Sequence, residues 1–408
     1  MSTDHLFDVR VTAADERRLA CDTMRAALLS GPISDDDWAS AAPGWDDDEH
    51  WSTSAWSGDR CVAHAGYFRV DTVVPGGARL GTAAVTRIGV LPTARRHGLL
   101  SRMMRFMLTS ARDEGRPLAS LRASEAVIYG RFGFAIAADG VVATVDPRRA
   151  RPIANAAPGS CRVLARDEIL DVVSAIYDRV VARPGAITRS DYLWRRYLED
   201  ALQGDKASFV VVHTDPHGVD DGFAHYTVSW DERPMAESAG KGEVHDVWGS
   251  TAAVELALWS FLCDLDLVRT FRVDERPIDD VLRVAVRDPR AYQTTHRYDE
   301  QWVRLLDVER CLVSRTYRPG PPVTIAVTDP LFPDNDASYE LDASGGVCRT
   351  DAPAELRCGV DALSAAYLGT VPWHDLAAAG RVQGDQDAVA RADDRFAVRP
   401  LAFCGSFF

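Results

Sequence analysis

The sequence predicts an α/β (α+β) protein built from two copies of one mixed plan and a smaller third part. Three observations carry that expectation. An apolar run, Ala83–Val90, passes through Pro92 and an Arg-Arg-His-Gly turn into an apolar-periodic segment, Leu99–Leu108, which makes a strand–turn–helix unit. A strand pair, a polar turn and an apolar helix return in the same order between about 153 and 300. The remainder holds short alternating strands and two short helices, each closed by glycine. At 408 residues the chain is too long for one core and is expected to divide into domains of roughly 100–200 residues.

Taken in order, Asp15–Leu29 reads as a helix with acids at its start, and Cys61–Val70 as a strand that ends in the Pro75-Gly76-Gly77 hairpin turn. In the helix after the basic turn, Leu100, Met103, Met104 and Met107 fall on one face. Leu118–Ala123 reads as a further strand, and Asp146–Pro152 as a polar, proline-bounded joint. Ser208–His213 and Gly222–Val228 read as a strand pair, and Glu243–Thr251 leads into the apolar helix Ala252–Leu262. That helix is expected to offer an exposed apolar face between subunits. In the third part, Val323–Pro330 alternates like a strand, Tyr339–Leu341 answers it, and Leu363–Leu368 and Leu376–Ala379 read as helices. Domains are therefore expected at 1–150, 151–300 and 301–408.

Composition narrows the function classes. A net charge of −14 argues against nucleic acid or an anionic membrane surface as partner and is compatible with a cationic substrate. No apolar run is long enough to span a membrane, and Met1–His5 has no signal-peptide pattern. The eight cysteines are scattered among apolar neighbours without a Cys-x-x-Cys pair, as expected for buried thiols in a reducing, cytoplasmic setting and not for a zinc site. His213, His217 and His225 lack metal-ligand spacing, and His245-Asp246 has no accompanying nucleophile motif, so no metal is expected and both read as structural.

Two segments carry chemistry. The strand–basic turn–helix unit presents unpaired N–H groups at a helix N-terminus. Gly98 lets the backbone approach an anion, and Arg95 and Arg96 add charge, a combination suited to phosphate. In Ser124–Phe134, glycines bracket Arg131 and Phe132 in a tight aromatic turn after Tyr129. A tyrosine is protonated at neutral pH and can donate a proton to a departing thiolate; it can equally serve only to pack the turn. The chain end, Leu401–Phe408, is apolar to its last residue, which predicts a buried end and a terminal carboxylate with a raised pKa, either as a base or as a stabilising tuck.

The Arg95-Arg-His-Gly98 turn resembles the acetyl-CoA pyrophosphate loop of the GNAT N-acetyltransferases, with Leu100 where glycine or alanine is usual. A GNAT first domain, a second GNAT-like domain without a cofactor motif, and a tail resembling a sterol-carrier-protein fold together resemble the Eis (enhanced intracellular survival) family of aminoglycoside acetyltransferases. The most specific segments are Arg95–Leu100, Ser124-Glu125, Ile128–Gly133 and the Phe408 terminus. The resemblance implies Tyr129 as general acid and the Phe408 carboxylate as general base. It implies acetyl-CoA contacts from Ile88, Val90, Arg95, Arg96, Gly98, Leu99 and Ser124, and a homo-hexamer. For the substrate it points to Trp38 and Asp35, on a loop rich in acids and indoles, and to Phe407, which stands where the family carries a glutamate. The function expected is acetyl transfer from acetyl-CoA to amines of small polycationic molecules, aminoglycosides first and at several positions. Lysine amines of proteins or peptides, and a non-catalytic lipid- or partner-binding role, are the alternatives.

Overall fold

The computed structural model describes residues 7–204, 206–230 and 240–408; Met1–His5 lies outside them. The chain forms two compact units. One comprises the described residues of Met1–Ala138 with Gln301–Arg399 and Ser406–Phe408; the other comprises those of Asp139–Glu300 with Pro400–Gly405.

The strands in chain order are β1 (Asp8–Val11), β2 (His50–Ser57), β3 (Arg60–Val73), β4 (Arg79–Val90), β5 (Leu118–Leu121), β6 (Ala135–Val145), β7 (Ser160–Val163) and β8 (Ala207–Thr214). They continue with β9 (Asp220–Trp230), β10 (Gly240–Gly249), β11 (Val268–Pro277) and β12 (Tyr292–Leu305). The third part adds β13 (Val323–Thr328), β14 (Ala337–Leu341), β15 (Val347–Thr350), β16 (Leu356–Gly359) and β17 (Val382–Gly384).

In the first unit β1 to β4 pair antiparallel in sequence order, and β4 then pairs parallel with β5. The connection between β4 and β5 is the helix that the periodicity predicts. The helices of this half are α1 (Arg17–Ala27), α2 (Asp35–Ala41), α3 (Pro43–Asp46) and α4 (Leu99–Asp113). Helix α4 buries Leu99, Met103, Met104, Met107, Leu108 and Ala111 against Ala83, Val85, Ala119 and Leu121 of the sheet. Each of these leucine and methionine side chains contributes about 1.5–3 kcal/mol on burial.

The second unit repeats the plan. β8, β9 and β10 pair antiparallel, β10 pairs parallel with β11, and the helix Ala252–Cys263 connects them. The two repeats exchange their last strands. Val141–Val145 of β6, from the end of the first repeat, pairs with β11 in the second unit. Trp302–Leu305 of β12, from the end of the second repeat, pairs with β5 in the first.

One expectation is corrected here. The Ala252–Leu262 stretch is not an exposed face between subunits: Val254, Leu256, Leu258, Trp259, Leu262 and Cys263 are buried in the core of their own unit. The helix lies on β8, β9 and β10 and also touches Pro147–Ala150 and Leu282–Ala285, so apolar residues are needed around most of its circumference. The cysteines are free thiols, buried except for half-buried Cys161 and exposed Cys348.

The third part, in the first unit, is a five-stranded sheet in the order β15-β14-β13-β16-β17, with helices Val360–Tyr367, Trp373–Ala378 and Gln386–Phe396. Buried Arg304, at the end of β12, ties it to the first repeat. It pairs with Asp329 through two 2.7 Å contacts and donates from Nε to the Phe132 carbonyl at 2.7 Å.

Candidate active site

The parallel pairing of β4 with β5 ends at Val85 and Leu121, yet β4 runs on to Val90. The far half of β4 has therefore parted from its neighbour. Just there β4 carries a bulge against β3, between the partners of His64 and Gly66, with Arg87 at φ 56°. Ile88 and Val90 lie on this free stretch, half-buried against the core that holds Leu99 and Tyr129.

Beyond β4 the chain makes one turn of 3₁₀ helix, Pro92–Ala94, and reaches the exposed Arg95 and Arg96. Arg95 Nε donates to the Val90 carbonyl at 3.3 Å, and Arg96 sits at φ 67°. Gly98 is the N-cap of α4 at φ 72°, and no side chain caps the helix. The first amides of α4 thus face outward without an intrahelical acceptor, and a Cβ at Gly98 would meet nothing within 4 Å. An uncapped N-terminus, an open approach and two arginines fit the diphosphate of a nucleotide thioester. Ser124 is exposed on the segment that follows β5.

Tyr129 stands between two 3₁₀ turns, Ala126–Ile128 and Gly130–Phe132. Its ring packs edge-on to Phe134 at 6.2 Å, and only 6% of the residue is exposed. Its hydroxyl has no hydrogen-bond partner among the described residues. Burial, helped by nearby Glu125, pushes its pKa above the ordinary tyrosine value, so the group is a neutral donor at physiological pH. Gly133 closes the turn at φ 86°, and a Cβ there would lie 2.5 Å from Arg304 Nε. Glycine is required twice over, by the left-handed backbone and by the guanidinium against it.

At the chain end Ser406 is fully buried, Phe407 is 65% exposed and Phe408 is half-buried. The expectation of burial to the last residue therefore stops at Ser406. The Phe407 ring lies 5.5 Å from the guanidinium of Arg122, the residue that follows β5.

The acidic, Trp-bearing segment is more ordered than a solvated loop. Asp35 opens α2 and pairs with Arg18 of α1, and Asp46 pairs with Arg17. Trp45 is buried beneath the Arg87 guanidinium, 4.5 Å from its ring, and Trp51 stacks on Tyr67 at 5.2 Å. Trp38 is half-buried, 6.1 Å from Trp45. All three indoles, and Asp35, Asp46 and Asp47 among the acids, are thus engaged within the protein.

The structure brings Ile88, Val90, Leu99 and Tyr129 into one apolar cluster, with Arg95, Arg96 and Gly98 on the loop beside it. His245 bonds to Thr227 and Asp246 to Arg189, so they do not form a dyad; buried His213 pairs with Asp221 at 2.6 Å. Arg122 and Arg304 were not marked by any sequence signal, since a buried or half-buried arginine has no periodic signature. Among the described residues no helix is long and apolar enough to cross a membrane.

Fold and site together define a tandem GNAT N-acetyltransferase that carries a sterol-carrier domain. Family models described as an acetyltransferase (GNAT) domain match residues 8–137 and 185–305, and a sterol carrier protein domain matches 308–405. An uncharacterized N-acetyltransferase of Streptomyces avermitilis is 36% identical over 399 residues, covering 92% of this chain and 93% of the relative. N-acetyltransferase Eis of Mycobacterium tuberculosis is 33% identical over 355 residues, covering 83% and 84%. The crystal structure of Eis1 from Mycobacterium abscessus matches with a TM-score of 0.88 at 34% identity, covering 98% of this chain and 100% of that one. The chain belongs to the Eis family of N-acetyltransferases. GNAT acetyltransferases use acetyl-CoA as the acyl donor.

Proposed function

We propose that this enzyme acetylates amines of small polycationic molecules, aminoglycosides first and at more than one position, by direct transfer from acetyl-CoA. The observation that carries this reading is Tyr129. It is a buried, protonated phenol with a free hydroxyl, in the same cluster as Ile88, Val90 and Leu99 where β4 parts from β5. On this reading Arg95, Arg96 and the α4 amides, with Ser124 nearby, hold the CoA diphosphate. The terminal carboxylate of Phe408 takes a proton from the substrate ammonium, because only the neutral amine is a nucleophile. The amine attacks the thioester carbonyl, the carbon–sulfur bond breaks, and Tyr129 protonates the departing thiolate, while the second proton of the acylated nitrogen passes through solvent to restore the phenol. No enzyme nucleophile is needed.

Trp38 and Phe407 supply apolar faces for the substrate, and Asp35, with its neighbours Asp36 and Asp37, attracts cations at close range. Homo-hexameric assembly and a cytoplasmic setting belong to the same reading; a monomer mass in light scattering removes the hexamer. The decisive experiment is CoA release against aminoglycosides, polyamines and lysine peptides. Turnover with peptides alone would replace the small-molecule reading by protein acetylation, and no CoA release with any amine would defeat it.

A further inference from the structure

The second GNAT-like repeat lacks an Arg-x-x-Gly loop, yet its unit directs a set of buried and half-buried charges at one object, the main chain of residues 401–405. Leu401 is held at both backbone groups. Its N–H donates to Asp279 at 2.8 Å, its carbonyl accepts from Arg183 Nε at 2.8 Å, and Arg183 and Asp279 pair with each other. The Phe403 N–H donates to the Pro184 carbonyl at 2.8 Å. The N–H groups of Cys404 and Gly405 each donate to the carboxylate of fully buried Glu300 at 3.0 Å. The Gly405 carbonyl accepts from Arg189 Nη2 at 2.8 Å.

Arg189 is itself fixed from the other side. Asp246 takes its Nη1 at 2.5 Å and is bonded in turn by the Trp248 indole. The rings of Tyr177, Trp194 and Tyr197 stand 4.5, 4.7 and 4.2 Å from its guanidinium carbon. Burial disfavours the Arg189 charge, but Asp246 more than offsets this, and the group stays cationic.

Buried ions are a poor way to gain stability, since their desolvation cancels much of their attraction. An apolar tail needing only an anchor would be served by packing. Packing alone, however, lets an extended segment slide, whereas hydrogen bonds at Leu401, Phe403, Cys404 and Gly405 fix its position along the track. We propose that Glu300, Arg189 and the Arg183–Asp279 pair are positioning residues that set the register of this track and thereby hold the terminal carboxylate of Phe408 where it acts. Three residues separate Gly405 from the chain end, a reach of at most about 10 Å. The inference rests on Phe408 being the base.

Glu300→Gln keeps the side-chain shape but offers one acceptor to two backbone donors and puts an amide N–H against the tail. With an alkylamine substrate near neutral pH, kcat is expected to fall about tenfold or more, with KM for acetyl-CoA unchanged. The deficit should close as pH rises toward the amine pKa, where the substrate deprotonates without help; general loosening of the fold would lower the rate at every pH. The charged groups facing the track are Arg183, Arg189, Asp246, Asp279 and Glu300. Wild-type kcat and pH profile in Glu300→Gln overturn the proposal. Should that variant not fold, hydrogen exchange on the native enzyme decides: slow amides at Cys404 and Gly405 support the track, and loop-like exchange there overturns it. A chain extended by one glycine after Phe408 separates the two claims. If it is inactive while Glu300→Gln behaves as wild type, the positioning role alone fails; if it is fully active, the base reading fails and this role with it.

Discussion

Tyr129 shows what a single residue discloses before any fold is known. Its glycine-bracketed turn is a local signal, and the residue stands where that turn begins, between two 3₁₀ turns. Tyr129→Phe keeps the ring and removes the donor, so kcat should fall by roughly 10²-fold while acetyl-CoA affinity, measured by calorimetry, is largely kept. A general acid must be protonated, and burial with Glu125 raises this one. Any loss of rate due to its ionisation should therefore appear only above about pH 10, the ordinary tyrosine value. Arg304 was not legible, because its partners Asp329 and Phe132 are remote in sequence and nothing local marks a buried guanidinium. Asp329→Asn leaves that cation under-compensated against the Tyr129 turn and should cost about 3–5 kcal/mol in urea unfolding. Composition gives the charge of Asp35 and Asp46, but not that Arg18 and Arg17 on α1 pair with them.

Elements were legible where periodicity decides and opaque where a partner decides. Helix α4 and its basic entry loop are both present, since methionines at helical spacing and a glycine N-cap are local facts. If that loop holds the CoA diphosphate, replacing Arg95 and Arg96 with alanine should weaken acetyl-CoA binding by about 1–3 kcal/mol per charged hydrogen bond lost; unchanged affinity in calorimetry would remove the assignment. The Ala252–Cys263 helix was recognised as a helix but not as a buried one. An all-apolar helix reads the same whether a subunit or its own sheet covers it. The exchange of β6 and β12 between the repeats was likewise invisible, because alternation marks a strand and says nothing of its neighbour.

At the scale of the whole molecule, acid should unfold the first unit through its buried imidazoles. Burial, with Arg87 nearby, holds His50 well below its usual value and His64 down to about 3. From about pH 6.5 downward to those lower values the unfolded chain binds the additional protons, so stability rises with pH across that window and is lost on acidification. Each imidazole contributes up to about 1.4 kcal/mol per pH unit. Urea midpoints followed from neutral to mildly acid pH should show that slope, and His64→Gln should flatten it; an unchanged slope would place the acid sensitivity elsewhere. The track under residues 401–405 has a consequence for how such chains diverge. It grips peptide groups, not side chains, at Leu401, Phe403, Cys404 and Gly405. Substitution there need not break those bonds, although Ala402, Phe403 and Cys404 are buried and so limited in size, and at Gly405 a φ of 60° and close approach to Trp248 exclude a Cβ. Insertion or deletion of one residue displaces everything after it by about 3.5 Å. The tail is thus held more tightly in length than in spelling, and a randomised library selected for activity should return sequences of one size whose variation is limited at the buried positions by volume.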